Sequence, residues 1–466
     1  MVKGDVVLFD LKKVRNVHFI GIGGISMSGL AEILYNEGIC VTGSDMKASI
    51  ATKNLNDIGI KVFIPHDEEN INGSDLVIYT AAVAMDNPEL LKAKRLGIKT
   101  IDRATLLGHI MDDYNFSIAC AGTHGKTSTT SMVSSILLDA KKDPTVHIGG
   151  LLPSMRKSTK VGSKGCFVTE ACEYVDSFLK LNPKMAIISN VELDHLDYFK
   201  DLEQLKRSFE QFVGKVPSDG YVVANIDDKN VGSIIQGVKC NLVTYGIENK
   251  SAMWQAREIS FDKRGFPSFN VYKSEKFIGK ISLSVPGNHN VSNALSAISG
   301  CLMYFKDLDF ETVKNSLVNF KGAGRRFEIK GEVGGMTIVD DYAHHPTEIK
   351  VTLNSVKNGA YKKVICVFQP HTYTRTKELL FEFSNSFENA DVVIISDIYA
   401  ARENDTGEVH AKDLCELLIA KGKKAVYFEN FETIQKFILE NSAKGDIVIT
   451  MGAGDIFKVG EGLVNK

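Results

Sequence analysis

The chain has 466 residues, of which 44% are hydrophobic and 24% are charged, and its formal net charge is −2. This length predicts about three domains, and the composition is that of an ordinary globular protein. The near-neutral charge argues against a nucleic-acid partner, because such proteins are usually strongly basic. No apolar stretch reaches roughly 18 residues and the N-terminus lacks a signal-peptide pattern, so we expect neither a membrane span nor a secretion signal.

The eight cysteines show no pattern of a disulfide framework or a zinc site, because no two of them form a C-x-x-C pair. They are Cys40, Cys120, Cys166, Cys172, Cys240, Cys301, Cys366 and Cys415. Scattered thiols in a long chain indicate a reducing compartment, so we expect a cytoplasmic protein whose cysteines are small hydrophobic or surface side chains.

The first predicted elements alternate between strand and helix. Apolar runs at 17–20, 40–43 and 76–80 predict strands, and a helical pattern covers 26–36. This series predicts a Rossmann-like α/β domain over residues 1–113, built on a parallel sheet with helices on its faces.

A glycine-rich stretch, GIGGIS at 21–26, follows the first of these strands. Ser26 stands where a dinucleotide fingerprint has its third glycine, and Asp45 follows the second strand, where the fingerprint places a ribose-binding acid. The stretch therefore predicts a diphosphate at a helix N-terminus without identifying the molecule that carries it.

The second predicted series opens with a strand at 116–121, the loop GTHGKT at 122–127 and a helix at 127–140. A glycine loop in this position is typical of phosphate binding, because its backbone N–H groups point at phosphate oxygens. We expect Lys126 at the β- and γ-phosphates of ATP and the Thr127 hydroxyl at Mg²⁺. The glycines frame a shorter loop than the usual Walker spacing, and an ordinary glycine-rich turn is the alternative.

The rest of this series predicts a central P-loop-type domain over 114–322, with a mostly parallel sheet and a small antiparallel part. Its further elements are strands at 167–169, 186–189 and 221–224, the antiparallel stretch at 254–285 and a helix at 291–304.

Polar motifs follow two of the central strands. TEACEYVD at 169–176 contains Glu173, a candidate ligand for a hard cation such as Mg²⁺, and NVELDHLD at 190–197 contains His195. Side chains at the carboxyl ends of parallel strands face the crevice in which α/β proteins bind ligands. A solvated loop is the alternative for the acids, and a surface or capping role is the alternative for the histidine.

The third predicted series forms a Rossmann-like α/β domain over 323–466. Its strands are expected at 337–339, 364–368, 392–396, 425–428 and 447–450. Two motifs again follow strands, DDYAHHP at 340–346 and QPHTYTR at 369–375. Their histidine, tyrosine and arginine side chains suit a carboxylate or phosphate ligand, with ordinary loop polarity as the alternative.

Together these motifs resemble the Mur ligase family, the ATP-dependent amide ligases that build the stem peptide of peptidoglycan. Six motifs carry the resemblance in family order: GTHGKT at 122–127, EACE at 170–173, NVELDH at 190–195, PGNHNVSNALSA at 286–297, GRRFE at 324–328 and DDYAHHP at 340–346. Five further stretches resemble the members that add the first amino acid: HFIGIGGISMSGLAEIL at 18–34, GSD at 43–45, DNPE at 86–89, QPHTYTRT at 369–376 and GAGDI at 452–456.

The resemblance implies a role for each site residue. ATP would be bound by Gly122, Thr123, His124, Gly125, Lys126, Thr127, Ser128, His289, Asn290, Asn293, Arg326 and Asp341. Two Mg²⁺ ions, with Mn²⁺ as an alternative, would be held by Thr127, Glu173 and His195. The UDP-sugar would lie against Gly23, Gly24, Ile25, Ser26 and Asp45, and the amino acid against Tyr342, His344 and Arg375. Lys126, His195, His344 and Arg375 would be the catalytic residues.

The implied reaction joins L-alanine to the lactyl carboxylate of UDP-N-acetylmuramate through an acyl phosphate made from ATP. The implied partners are these small molecules, with no nucleic acid and no membrane, and the oligomeric state is open. One position departs from the family pattern, since some members have arginine where this chain has Thr372. Arg375 is then left to meet the alanine carboxylate or the acyl phosphate.

Three other functions are compatible with parts of the sequence. A related ligase of murein recycling joins a preformed tripeptide to the same UDP-sugar. A nicotinamide dehydrogenase could use the loop at 21–26, but it leaves the loop at 122–127 without a purpose. A non-enzymatic ATP-binding scaffold leaves Glu173 and His195 without one. If the ligase assignment holds, sites on three domains must meet, so we expect hinge closure near 113 and 323 when the ligands bind.

Overall fold

The computed structural model describes residues 11–80, 82–152, 154–155, 157–357, 359–401 and 403–465. Residues 1–10, which begin the segment searched for a secretion signal, lie outside the described residues. The described chain forms three separate sheets with helices on their faces, so the predicted three-domain α/β fold is confirmed. None of the described helices combines the length and the apolar character needed to span a bilayer.

The first sheet is fully parallel, in the order β3-β2-β1-β4-β5. Its strands are β1 (Asn16–Ile20), β2 (Cys40–Ser44), β3 (Lys61–Phe63), β4 (Leu76–Tyr79) and β5 (Lys99–Asp102). Its helices are α1 (Ile25–Asn36), α2 (Ile50–Asp57), α3 (Pro88–Leu96) and α4 (Arg103–Asp112), with 3-10 turns at Leu11–Lys13 and Glu68–Ile71. The strand order reverses at β1, which places the glycine stretch after β1 at a switch point of the sheet.

The central sheet has ten strands in the order β15-β14-β13-β12-β11-β10-β6-β9-β7-β8. The strands are β6 (Phe116–Ala121), β7 (Thr145–Leu152), β8 (Lys157–Lys160), β9 (Cys166–Glu170), β10 (Met185–Ile188), β11 (Tyr221–Asn225), β12 (Asn241–Gly246), β13 (Trp254–Phe261), β14 (Pro267–Lys273) and β15 (Lys276–Ser282). The helices are α5 (Lys126–Asp139), α6 (Leu202–Gly214), α7 (Lys229–Ile234), α8 (Asn288–Tyr304) and α9 (Phe310–Asn319), with a 3-10 segment at Tyr174–Lys180.

The antiparallel part of this sheet lies where the sequence predicts it, in β13, β14 and β15. It is not a separate layer, because β13 pairs in parallel with β12 and extends the parallel sheet. A second antiparallel pair, β7 with β8, lies at the other edge and was not predicted.

The third sheet has the order β16-β17-β21-β18-β19-β20 and is parallel except for its edge strand β16. Its strands are β16 (Glu328–Val333), β17 (Met336–Asp341), β18 (Val364–Phe368), β19 (Val392–Ile395), β20 (Ala425–Tyr427) and β21 (Ile447–Met451). Its helices are α10 (Pro346–Lys357), α11 (Tyr373–Glu378), α12 (Leu380–Ser384), α13 (Ala411–Ala420), α14 (Phe431–Asn441) and α15 (Phe457–Val464).

The central strands are buried on both faces, as expected for parallel strands covered by helices. Every residue of β6, β10 and β18 is buried, so these strands form rigid supports. Their carboxyl ends lead directly into the polar motifs, which is why those motifs meet in space. The predicted boundaries at 113 and 323 fall between α4 and β6 and between α9 and β16, and they stay predictions.

Candidate active site

The predicted phosphate-binding loop connects β6 to α5, and two of its positions require glycine. Gly122 and Gly125 have φ angles of +139° and +84°, which favour glycine. A Cβ atom on Gly122 would lie 2.0 Å from Ser189 Oγ, and one on Gly125 would lie 2.7 Å from Asn293 Oδ1. Gly125 is also the N-cap of α5 and has no side chain to cap the helix, so the first N–H groups of α5 are available to an anion.

Lys126 is held at the base of this loop. Its Nζ donates to the carbonyl oxygens of Gly122 and Thr123 at 2.6 and 3.0 Å, and to Glu173 at 2.9 Å. Burial lowers the pKa of Lys126, but Glu173 outweighs it and the pKa is raised. The ammonium is therefore charged at neutral pH, as its predicted role at a phosphate requires.

Two carboxylates and a histidine surround the loop. Glu173 is 1% exposed, and its Oε1 lies 3.8 Å from His195 Nε2. The Thr127 hydroxyl donates to Glu170 Oε2 at 3.0 Å, while Glu170 Oε1 accepts from Gly149 N at 2.7 Å. The structure thus brings Glu173 and His195 together as predicted. The structure also pairs Thr127 with Glu170. Glu170 begins the EACE motif but was not predicted as a site residue.

A cavity of about 320 Å³ lies between the central and C-terminal domains, beside the loop. Many of the predicted ATP-binding residues line it: His124, Gly125, Thr127, Ser128, His289, Asn290, Asn293, Arg326 and Asp341. Asn293 and Asn290 are joined by a hydrogen bond of 3.3 Å at the start of α8. Burial lowers the pKa of His289 to about 4, so its imidazole is neutral.

The two arginines of GRRFE have different surroundings. Arg325 donates to Asp340 Oδ2 at 2.8 Å and to the carbonyl oxygens of Gly452 and Gly454, so its guanidinium ties the start of the C-terminal domain to the GAGDI stretch. Arg326 lies over the Tyr342 ring at 4.9 Å and lines the cavity beside the loop. Of the two, Arg326 is therefore the one placed to contact a ligand.

Asp341 supports the same cavity. Its two carboxylate oxygens accept hydrogen bonds of 2.8 Å from the backbone N–H groups of Phe327 and Ala343. Burial raises its pKa to about 6, against the opposing effect of Arg326. Asp341 therefore shapes the turn that carries Arg326 as well as lining the cavity.

The central and C-terminal domains also make a contact that was not predicted from the sequence. His124 lies between Glu192 Oε2 and Glu348 Oε1, at 3.1 Å from each. Glu192 Oε1 also accepts from the Thr347 hydroxyl at 2.6 Å. Burial lowers the pKa of His124, but the two carboxylates outweigh it and raise the pKa to about 9.

His124, Glu192 and His345 could in principle hold a metal ion, since one ligand atom from each lies within 4.8 Å of the others. Both nitrogens of His124 already face carboxylates, and His345 Nδ1 accepts from Thr347 N at 3.3 Å. We therefore interpret this cluster as an ion-paired contact between domains.

A separate cavity of about 380 Å³ is lined by His195 and Asp194. The predicted amino-acid residues Tyr342, His344 and Arg375 all line it. His344 Nδ1 lies 3.0 Å from the Tyr342 carbonyl oxygen, so Nδ1 carries the proton and Nε2 is an acceptor that no described residue hydrogen-bonds. Burial lowers the pKa of His344 to about 4, which keeps the ring neutral.

Thr372, which departs from the family pattern, lines this cavity and caps the helix that carries Arg375. It is the N-cap of α11, and its hydroxyl accepts from Arg375 N at 3.4 Å. Its φ angle of +65° turns the chain from the end of β18 into the helix. Thr372 therefore fixes the position of Arg375.

The glycine stretch of the first domain forms a tight loop. Gly23 N donates to Asp45 Oδ2 at 2.8 Å, and a Cβ atom on Gly23 would lie 2.8 Å from the same oxygen. Gly24 caps α1 without a side-chain hydrogen bond, and Ile25 begins the helix with an exposed side chain. The predicted UDP-sugar residues thus surround an open helix N-terminus, where Asp45 shapes the loop.

This loop approaches the central domain at a smaller cavity lined by Ser26, Arg103, His147 and Glu170. Ser26 Oγ is hydrogen-bonded to His147 Nε2 at 2.8 Å and accepts from Arg103 Nη1 at 3.1 Å. Arg103 and His147 were not selected from the sequence, since neither lies in a motif. The cavity thus lies between Ser26 of the first-domain loop and Glu170 of the central domain.

Comparison with protein-family models gives three matches in chain order. The descriptions are "Mur ligase family, catalytic domain" at 16–115, "Mur ligase middle domain" at 120–301 and "Mur ligase, glutamate ligase domain" at 325–454. Together the matches cover most of the chain.

Comparison with known proteins gives full-length relatives. A UDP-N-acetylmuramate–L-alanine ligase of Acetivibrio thermocellus is 54% identical over 454 residues, covering 97% of this chain and 96% of that protein. The ligase of the same name from Caldanaerobacter subterraneus subsp. tengcongensis is 54% identical over 452 residues, covering 97% of this chain and 98% of that protein. Among solved structures, a UDP-N-acetylmuramate–alanine ligase of Thermotoga maritima superposes with a TM-score of 0.82 at 30% identity, covering 97% and 98%. A murein peptide ligase of Psychrobacter arcticus superposes with a TM-score of 0.71 at 25% identity, covering 97% of this chain and 98% of that chain.

Proposed function

This chain belongs to the Mur ligase family, and we propose that it is the ligase that joins L-alanine to the lactyl carboxylate of UDP-N-acetylmuramate at the expense of ATP. The two relatives that are 54% identical carry this activity in their names. The products are the amide, ADP and phosphate. The reaction is a step of peptidoglycan precursor synthesis, on which the cell wall, cell shape and cell division depend, and we expect it to take place in the cytoplasm.

One structural observation carries the proposal, a continuous line of contacts from the phosphate loop to the second cavity. Lys126 is paired with Glu173 at 2.9 Å, Glu173 lies 3.8 Å from His195, and Asp194 is paired with Arg375 at 2.9 Å. A phosphoryl group held by the loop is therefore close to the cavity of the amino acid. A two-step ligase requires this arrangement, because its acyl phosphate must lie close to the attacking amine without being released into solvent.

The first step is phosphoryl transfer. A carboxylate oxygen of the UDP-sugar attacks the γ-phosphorus of ATP, the bond to ADP breaks, and a mixed acyl phosphate forms. Lys126 and the N–H groups at the start of α5 stabilise the negative charge on the transferring group. Asn290, Asn293 and Arg326 hold the nucleotide in its cavity.

The donors beside the loop fit a hard divalent cation. They are carboxylate, hydroxyl and imidazole groups, and the almost fully buried Glu173 lies within 3.8 Å of His195 as well as being paired with Lys126. We propose that Thr127, Glu173 and His195 hold two Mg²⁺ ions, with Mn²⁺ as an alternative. Bound there, the metal ions supply charge neutralisation of the transferring phosphoryl group.

The second step is acyl transfer. The amine of L-alanine attacks the acyl carbon, the amide bond forms, and phosphate leaves. The amine must lose a proton, and His344 Nε2 is an acceptor in the same cavity. We propose His344 as this base and Arg375 as the partner of the alanine carboxylate.

The first domain binds the UDP portion of the sugar nucleotide. Gly23, Gly24, Ile25 and Ser26 provide the N-terminus of α1, and Asp45 holds the loop in shape. We propose the domain division at 1–113, 114–322 and 323–466, with closure about these boundaries when the ligands bind.

The experiment that tests the function is phosphate release from ATP by the purified protein with UDP-N-acetylmuramate and each amino acid in turn. We expect release only when the UDP-sugar and L-alanine are both present. Release with the tripeptide L-alanyl-γ-D-glutamyl-meso-diaminopimelate but not with L-alanine would assign the recycling reaction instead. No release with any acceptor would refute the ligase function.

A further inference from the structure

The cavity beside His195 contains an ion pair made by two domains. Arg375 Nη2 donates to Asp194 Oδ1 at 2.9 Å, and the side chains are only 14% and 11% exposed. Arg375 lies on α11 of the C-terminal domain, whereas Asp194 lies in the loop that follows β10 of the central domain. The pair therefore exists only when the two domains are together.

The two oxygens of Asp194 are used unequally. Oδ1 accepts from Arg375 and also from His195 N at 2.7 Å. Oδ2 accepts no hydrogen bond from any residue in the described part of the chain, and His195 Nε2 lies 4.0 Å from it. Asp194 is thus fixed through one oxygen and retains a second, charged oxygen at the wall of the cavity.

Arg375 also keeps unused capacity. A guanidinium has five N–H donors, and Arg375 gives one to Asp194 and makes a long contact of 3.5 Å to His371 Nδ1. The remaining donors suit a carboxylate, which guanidinium groups bind through two N–H bonds.

An amino acid in water carries both charges, with a single carbon atom between its ammonium and carboxylate groups. The geometry points to a zwitterion site: Asp194 Oδ2 accepts a hydrogen bond from the ammonium group of the incoming amino acid, while Arg375 binds its carboxylate. This inference rests on the proposed function and adds Asp194 as the residue that selects for the amine.

Other acids that line the cavity are less suited to this role. Asp197 is exposed and its Oδ2 accepts from the Tyr174 hydroxyl at 2.7 Å, while Glu403 Oε2 accepts from Thr374 N at 2.9 Å. Glu378 is exposed. Asp194 alone among these four is buried and paired with the carboxylate-binding arginine.

Asp194 binds the ammonium group but does not deprotonate it. Its carboxylate is paired with the Arg375 guanidinium at 2.9 Å, and a carboxylate in such a pair stays charged and is a poor proton acceptor. The site therefore orients the amine, and the proton passes to another acceptor in the cavity.

The test is the steady-state kinetics of Asp194→Asn with L-alanine as the varied substrate and propionate, which has the carboxylate but no amine, as an inhibitor. We expect the KM for L-alanine to rise roughly 10- to 100-fold, the loss that follows removal of a charge-assisted hydrogen bond. Inhibition by propionate should be as strong as in the wild type or stronger, since Arg375 is freed. The matched control is Asp219→Asn, which removes the same charge from a 78% exposed aspartate of the central domain outside this cavity and should leave the KM for L-alanine unchanged.

A merely structural role gives the opposite pattern. If Asp194 only holds Arg375 in place, propionate inhibition weakens in step with alanine binding, and the inference is overturned. An unchanged KM for L-alanine overturns it as well. The KM values for ATP and the UDP-sugar report whether the variant is folded. If Asp194→Asn does not fold, Asp194→Glu is measured instead; it keeps the charge and should retain part of the alanine affinity. A wild-type protein inactive with L-alanine would instead contradict the proposed function.

Discussion

Lys126 Nζ lies 2.9 Å from Glu173 Oε2, so the glycine loop at 122–127 and the acidic motif after β9 are joined by an ion pair. The partners are 47 residues apart in the sequence. Their contact is possible because β6 and β9 are neighbours in the central sheet and end at the same edge. Two motifs that look independent in the sequence therefore form one site.

Replacement of this lysine tests the phosphoryl-transfer step. Lys126→Met removes the charge that stabilises the transferring group and leaves Glu173 buried without its partner. We expect phosphate release with UDP-N-acetylmuramate and L-alanine to fall by about 100-fold or more, the usual effect of losing such a stabilising donor. Lys141→Met, an exposed position just after α5, is the control and should keep normal turnover. Normal turnover of Lys126→Met would contradict the assignment of the loop.

The glycine loop of the first domain predicts an effect on one substrate only. In Gly23→Ala the new Cβ atom would lie 2.8 Å from Asp45 Oδ2 and 3.0 Å from Thr52 Cγ2, so the loop must shift. We expect a higher KM for the UDP-sugar and an unchanged KM for ATP, measured by phosphate release. Gly214→Ala, whose Cβ would meet open space, is the matched control. Equal changes in both KM values would argue against a UDP-sugar site on this domain.

The fold was predictable from the sequence wherever strands are continuous apolar runs. β6 and β18 belong to this class, because strands buried on both faces need apolar side chains throughout. The strand β8 was missed, since its sequence KSTK is polar and lies at the sheet edge. The edge strand β16 was missed for the same reason, because only half-buried and exposed residues form it.

The site was predictable where a motif is local and carries its own chemistry. The loop with Lys126 follows from six consecutive residues, whereas the contact of His124 with Glu348 joins positions 224 residues apart. No local pattern reveals such a pair, because it exists only when two domains pack together. Arg103 was missed likewise, since its contact with Ser26 spans 77 residues and lies outside every motif.

The His124 contact predicts a pH dependence of stability. Its pKa is raised from 6.5 to about 9 by Glu192 and Glu348 in the folded protein. The contribution is therefore fully present below the unfolded pKa of 6.5, provided that the carboxylates are ionised, and it is lost as the pH rises through about 9. We expect the melting temperature of the wild type to exceed that of His124→Gln at pH 6.5 and the difference to shrink towards pH 10, measured by calorimetry. A difference that grows with pH would refute the charged state of His124.

Thr372 predicts a coupled effect on stability and on alanine binding. Thr372→Ala removes the hydroxyl that accepts from Arg375 N, at a cost of about 1 kcal/mol for a lost N-cap. Because this cap fixes Arg375, we expect the KM for L-alanine to rise while the KM for ATP is unchanged. Thr372→Ser keeps the hydroxyl and should behave as the wild type. A Thr372→Ala enzyme with normal alanine binding would mean that α11 holds Arg375 without its cap.

His344 predicts how the second step responds to mutation and to pH. As the base, it acts on turnover, so His344→Ala should lower kcat by about 100-fold, the lower range for a lost general base. A variant that keeps its kcat and only raises the KM for L-alanine would reduce His344 to a binding residue. Burial holds the pKa of His344 at about 4, so its ring is already neutral at pH 6 and stays so at higher pH. A rise in kcat between about pH 6 and 7 that disappears in His344→Ala would show that the imidazole titrates in that range. The His344 ring would then be more exposed to solvent during turnover than it is in this cavity.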